Sequence, residues 1–327
     1  MNRILIVLLA VFTTIVHAAG QNVRTTGNGT ASDVATFPSA TYGAGVTVRS
    51  VGKKILFIGN SFTFGAGSPV QRFRINSVTD LNGTTNKSGV PALFKCFAEQ
   101  AGLRFDVNHE TVGGKGLDFH LTNRTEVIAR PWDYVVMHGY STMNQAKPGD
   151  AGLLVKSTKQ MAELLHEKNP KVEIWLVATW TRADLVYKGS GPWFGTPIEK
   201  MAKDVRAGYD SAKAATPLVH GVVPTGEAWN RAIAEKIAAP NPYDGITPSQ
   251  IDLWTKDHYH ASSYGYYLSA LMIFGDITGL DPRSLGENES AAAELGFTTG
   301  QTQALQQVAY EELSANGTSL KTFQPVK

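Results

Sequence analysis

Short aliphatic runs alternate with longer stretches of helical period along most of the chain. Lys54 to Ile58 is one such run, closed by Gly59, and comparable runs recur at Phe105 to Asn108, Tyr134 to Met137, Val172 to Ala178 and Leu218 to Val223. Where such runs are apolar at successive positions, as at Ile55 to Ile58 and Tyr134 to Met137, and not only at alternate ones, they predict strands buried on both faces of a parallel sheet. Between them, Pro91 to Ala101, Gly152 to Lys168, Pro197 to Ala215 and Thr225 to Ala238 carry apolar positions at helical spacing. Two further helices are predicted at Ser263 to Gly279, just before Asp281-Pro282, and at Thr299 to Asn316. Strands and helices in alternation imply right-handed βαβ units: an α/β domain in three layers around a mostly parallel sheet of five strands. In such sheets ligands sit outside the carboxyl ends of the strands, so the loops that follow the strands are where chemistry is expected.

The N-terminus breaks this pattern. Arg3 precedes an apolar run from Ile4 to Val16, followed by Ala18, Ala19 and Gly20. That order is expected of a cleaved secretory signal, and the run is short for a membrane span. The segment from Gln21 to Arg49 is rich in Gly, Ser, Thr and Asn and has little periodicity, as an exposed leader or edge segment would. The expected organisation is a signal peptide over 1–19, a polar segment over 20–51 and one catalytic domain over 52–327. It implies a secreted or periplasmic protein with no stable membrane association after cleavage. Cys96 is the single cysteine, so no intramolecular disulfide can form, and its apolar neighbours Leu93, Phe94, Phe97 and Ala98 predict a buried thiol on one helix face. A net charge of +2 with both signs interspersed provides no basic stripe for a phosphate backbone, which argues against nucleic acid as a partner.

Two loops carry the candidate chemistry. The first strand runs into Gly59-Asn60-Ser61-Phe62-Thr63, which puts the Ser61 hydroxyl at the mouth of the sheet, where the amides of a tight strand-to-helix turn can receive an oxyanion. A serine needs a base, and near the other end of the domain Asp257-His258-Tyr259-His260 supplies one. His260 is positioned to take the Ser61 proton and return it to the leaving group, while Asp257 three residues earlier fixes the imidazole tautomer. A lone Ser, His or Asp is more often a satisfied loop residue than a catalyst, so it is the combination that counts.

The strand with Gly59-Asn60-Ser61-Phe62-Thr63, together with Asp257-x-x-His260 and the trailing Ser262, Gly265, Tyr267, Leu268 and Ala270, resembles the first and last sequence blocks of SGNH (GDSL-like) hydrolases. The resemblance spans roughly Lys53 to Leu280. It implies a flavodoxin-like α/β/α fold and a catalytic triad of Ser61, Asp257 and His260. It also implies an oxyanion hole made by the Ser61 N–H, the Gly114 N–H in Val112-Gly113-Gly114-Lys115-Gly116, and a side chain from a third block. Here the chain departs from the family. After Tyr134 to Met137 the usual Gly-x-Asn-Asp gives way to His138-Gly139-Tyr140-Ser141, with Asn144 further on. His138, Ser141 and Asn144 are all able to donate, and Asn144 is the expected third donor. Secreted bacterial relatives have a similar replacement after a Trp-Asp-x-Val-Val strand such as Trp132-Asp133-Tyr134-Val135-Val136.

Aromatic residues on the later loops bear on substrate. Trp180 directly follows a strand, and Tyr187, Trp193 and Phe194 lie among glycines. Flat apolar faces over a crevice suit a sugar ring, so Trp180 and Trp193 are the expected substrate-binding residues; the alternative is that they cap the core. Arg72 and Arg74 lie in a polar insertion between Phe64 and Val90, just after the nucleophile. No cofactor or metal is expected: His258-x-His260 could ligate an ion, but there is no H-E-x-x-H helix, and Gly113-Gly114-Lys115 is not a P-loop. The implied function is ester hydrolysis through an acyl-Ser61 intermediate, with an acetyl group on a small-molecule or polysaccharide ester as the expected substrate. Two rivals are a lipase, arylesterase or thioesterase for longer acyl chains, and a non-catalytic carbohydrate-binding protein of the same fold.

Overall fold

Strand β1 (Lys53–Gly59) is buried on both faces: Ile55 and Phe57 enter one core, Leu56 and Ile58 the other. The same division runs through β4 (Tyr134–Met137), where Val136 faces one way and Val135 and Met137 the other. Two-sided burial explains why these strands read as unbroken aliphatic runs. The computed structural model describes residues 52–83 and 86–326. The expected signal peptide over 1–19 and the polar segment over 20–51 lie outside the described residues.

With β2 (Thr79–Asp80), β3 (Phe105–Thr111), β5 (Glu173–Val177) and β6 (Val219–Val223), the strands form one sheet in the order β2-β3-β1-β4-β5-β6. Every pairing in it is parallel. Among the described residues the sheet has six strands where the sequence pattern predicts five. The extra strand is the two-residue β2, which pairs Thr79 with Asn108 and Asp80 with His109 inside the polar insertion, and it is too short and too polar to leave a periodic trace. With this edge strand set aside, the order is that of a flavodoxin-like sheet, whose switch point falls between β1 and β4.

Among the described residues the α-helices are α1 (Ser61–Phe64), α2 (Gly89–Gln100), α3 (Leu117–Asn123), α4 (Thr125–Ile128), α5 (Gly152–Lys168), α6 (Glu199–Ala214), α7 (Thr225–Ala234), α8 (Ser263–Thr278), α9 (Ser290–Glu294) and α10 (Thr299–Ala315). Helices α2, α7, α8 and α10 cover the face of Ile55 and Phe57, and α5 and α6 cover the other. Because α8 also contacts both α2 and α10, every residue from Gly265 to Ile277 is buried, as expected of a helix enclosed on all sides. Cys96 on α2 is buried with its Sγ 3.2 Å from Ser290 Oγ, and burial pushes its thiol up to about 12. No helix among the described residues is long and apolar enough to cross a membrane.

Candidate active site

The two loops at the switch point, after β1 and after β4, carry Asn60-Ser61 and His138-Gly139. The turn after β1 is tight. A side chain on Gly59 would collide with Thr63 Oγ1 and approach His138 Nε2 to 2.6 Å, so only glycine lets the strand end this close to its neighbour. Asn60 then caps α1, its side-chain oxygen accepting from the Phe62 N–H at 3.1 Å. Ser61 is the first residue of the helix, 7% exposed, with its carbonyl bonded by Tyr266 Oη at 3.3 Å.

Asp257 and His260 come together from one loop before α8. Asp257 Oδ2 lies 2.6 Å from His260 Nδ1, while its Oδ1 accepts from Thr255 Oγ1 at 2.7 Å and from the Tyr259 and His260 amides at 2.9 Å each. Burial alone would raise the pKa of this carboxyl, but those hydrogen bonds outweigh it and hold the group well below the usual carboxylate range. A carboxylate on Nδ1 leaves Nε2 as the basic nitrogen. That atom is buried and has no hydrogen-bond partner among the described residues. The imidazole stands edge-on to the ring of Phe62, next in sequence to Ser61, at 5.7 Å between centroids. The Ser61 hydroxyl is therefore not bonded to Nε2 here; serine–histidine contacts of this kind are commonly loose until a substrate closes them. His258 belongs to a different environment: in left-handed backbone (φ 55°), its ring packs against Tyr243 at 4.1 Å between centroids, tilted by 56°.

The oxyanion candidates separate by their contacts. Gly114 is exposed with φ 70°, a left-handed turn that favours glycine, and Val112 N–H donates to Gly59 O at 3.0 Å, holding this loop beside the turn of Ser61. His138 is buried with both ring nitrogens engaged: Nδ1 is 2.9 Å from Gly139 O and Nε2 is 2.7 Å from Thr63 Oγ1. A carbonyl only accepts, so the proton sits on Nδ1 and the Thr63 hydroxyl donates to Nε2. Burial lowers the pKa of His138 to about 4 and keeps it neutral. It therefore has no free donor to offer. Asn144 uses its Oδ1 to accept from the Ala146 and Lys147 amides at 3.0 and 3.2 Å, which leaves Nδ2 as its available donor. Ser141 is 8% exposed on the same loop.

The tryptophans are not where a sugar platform requires them. Trp180 is 1% exposed, stacked between Phe62 at 4.1 Å and Trp229 at 4.9 Å, and Trp193 is 2% exposed with its Nε1 donating to Asp204 at 3.0 Å. Both are core residues whose faces are already covered, which corrects the expectation that they bind substrate. Phe194 is the exposed aromatic of that segment. Arg74 is likewise taken, ion-paired to Glu294. Trp180 still matters to the site, because its Nε1 donates to the Tyr259 carbonyl at 3.3 Å in the loop between Asp257 and His260.

Among the described residues no group of three His, Cys, Asp or Glu side chains is placed to hold a metal ion. No family model and no curated protein matches the chain. Among solved structures it is similar to a DUF4886 family protein from Bacteroides uniformis, with TM-score 0.54, 16% identity, and 83% of this chain and 98% of that one covered. A putative GDSL-like lipase from Parabacteroides merdae gives TM-score 0.45 at 16% identity over 70% of this chain and 98% of that one. A catalytic mutant of Axe2, an acetylxylan esterase from Geobacillus stearothermophilus, gives 0.43 at 16% identity over 76% and 97%. At such identities likeness speaks for the fold alone, here through the first of the three.

Proposed function

We propose that the chain is a serine hydrolase of carboxylic esters. The observation that carries this reading is the His260 imidazole, fixed by Asp257 through Nδ1 and presenting a buried, unpartnered Nε2 beside the turn that holds Ser61. In the proposed reaction Ser61 Oγ attacks the ester carbonyl carbon while Nε2 takes the hydroxyl proton. The C–O bond to the alcohol breaks, His260 returns the proton to the departing oxygen, and water repeats the sequence to free the acid from Ser61. Asp257 stays ionised and stabilises the imidazolium. The N–H groups of Ser61 and Gly114 stabilise the oxyanion, with the third donor coming from Asn144 in the loop after β4.

We further propose that the alcohol side of the ester is a carbohydrate and the acyl group is acetate. Supporting this is a groove of about 620 Å³ that reaches Asp257 and is lined by Ser68, Asp252, Lys256, Tyr264 and Phe297 among others. The stacked rings of Tyr264 and Phe297, 4.3 Å apart, set among carboxylates, hydroxyls and an ammonium, suit a polyhydroxylated ring better than a hydrocarbon chain. The leader-like residues from Arg3 to Gly20 support export to the periplasm or medium. Hydrolysis of p-nitrophenyl acetate, butyrate and octanoate by wild type, Ser61→Ala and His260→Ala tests the reading. Acetate is expected to turn over fastest, with both variants inactive. Preference for octanoate would replace the acetyl-ester reading with a lipase-like one, and activity that survives Ser61→Ala would overturn the mechanism.

A further inference from the structure

Asn60 lies between the glycine that ends β1 and the serine that starts α1, and its side chain makes three hydrogen bonds in three directions. Its Oδ1 accepts from the Phe62 amide at 3.1 Å, while its Nδ2 donates to Lys115 O at 2.9 Å and to Gly139 O at 3.1 Å. Those partners belong to three segments that follow three neighbouring strands of the sheet: helix α1 after β1, and the loops after β3 and β4. Lys115 adjoins Gly114, and Gly139 adjoins His138. The Gly139 peptide is held from its other end too, since its N–H donates to Tyr209 Oη at 2.8 Å and its carbonyl also accepts from His138 Nδ1. Asn60 is only 5% exposed, so these bonds are shielded from competing water.

We infer that Asn60 is a positioning residue, which clamps the loop of Gly114 and the loop of His138, Ser141 and Asn144 onto the nucleophile turn, so that donors from three separate loops converge above Ser61. The inference rests on the proposed serine-esterase reading. An amide is the side chain this task needs. It offers one acceptor for the helix cap and two donors for two carbonyls, whereas a carboxylate has no donor and a hydroxyl is too short to reach both loops. A helix cap alone would be met equally well by Ser or Asp.

That difference provides the test. Asn60→Ser and Asn60→Asp keep the cap and remove the clamp; Asn60→Ala removes both. Asn60→Ser is expected to lower kcat on p-nitrophenyl acetate by roughly 10- to 100-fold, the scale of a misplaced catalytic group. KM is expected to change little, and the melting temperature to fall by no more than the few degrees that two lost buried hydrogen bonds account for. Asn60→Asp, nearly isosteric and the variant to use if Asn60→Ser does not fold, is expected to be slower still at neutral pH. Its activity relative to wild type should rise as the pH is lowered, because a protonated carboxyl regains one O–H donor. Wild-type kcat in Asn60→Ser or Asn60→Asp, with loss confined to Asn60→Ala, would reduce Asn60 to a cap and overturn the inference. If Ser61→Ala retains activity, the esterase reading fails; if Ser61→Ala is dead while Asn60→Ser is normal, only the clamp fails.

Discussion

Thr63 Oγ1 stands 2.7 Å from His138 Nε2, a bond that joins helix α1 to the end of β4 across the switch point of the sheet. Because the folded state holds His138 neutral down to about pH 4, while an unfolded chain protonates near the ordinary histidine value of 6.5, the unfolded state binds more protons between these limits. The stabilisation His138 provides is present above pH 6.5 and is lost as the pH falls to about 4. His138→Gln is expected to lower the melting temperature at pH 7.5 and to lose less stability than wild type between pH 6.5 and 4, measured by calorimetry across that range.

Asp257 is built to stay charged. Its four hydrogen bonds keep it ionised far below neutral pH, and Asn in its place would turn an N–H₂ group toward one or more of the donors it now accepts. Asp257→Asn is expected to fold, to bind substrate with similar KM, and to lose kcat by up to about 10⁴-fold through the wrong imidazole tautomer. Steady-state kinetics with circular dichroism on the same samples checks this.

Glu227 on α7 shows the opposite shift. Burial, only partly offset by Arg206, raises its carboxyl to about 7 from 4.5. Below pH 4.5 it is neutral in both states; as the pH rises through 7 the folded protein must ionise a group the unfolded chain ionises freely, and stability is lost. Glu227→Gln is expected to melt several degrees higher than wild type at pH 8 and close to it at pH 4.5, despite the lost contact with Arg206 at 3.6 Å.

The buried tryptophans should behave as core. Trp180→Ala removes the stack between Phe62 and Trp229 and is expected to cost about 3–5 kcal/mol in chemical denaturation. Trp193→Phe gives up one hydrogen bond to Asp204, about 1 kcal/mol. On an acetylated oligosaccharide, Trp193→Phe should leave KM within about twofold of wild type, because no uniform binding is removed.

Where the chain obeys a single period, its sequence is a good guide. Gly152–Lys168 is predicted and found as one helix with the same limits, and Ser263 as the start of α8. The sequence falls short where partners are remote. The polar end of β3 escapes the aliphatic pattern because His109, Glu110 and Thr111 are buried by pairing with side chains and carbonyls elsewhere: Glu110 is held by Arg124 and His120, and His109 by Lys87 O. Trp180 follows a strand as a ligand platform would, and nothing local reveals that Phe62 and Trp229, more than 45 residues away on either side, cover both of its faces. Asn60 is visible as part of a motif, but its work is done on carbonyls 55 and 79 residues further on.

The central claim is that Ser61 is a nucleophile activated by His260, and covalent labelling tests it most directly. The folded protein is incubated with a fluorophosphonate, which reacts with activated serines in proportion to base and oxyanion-hole function, and digested for mass spectrometry. One adduct is expected, on Ser61, formed slowly in His260→Ala and absent from Ser61→Ala. An unlabelled Ser61 in folded wild-type protein, or labelling that His260→Ala does not slow, would contradict it.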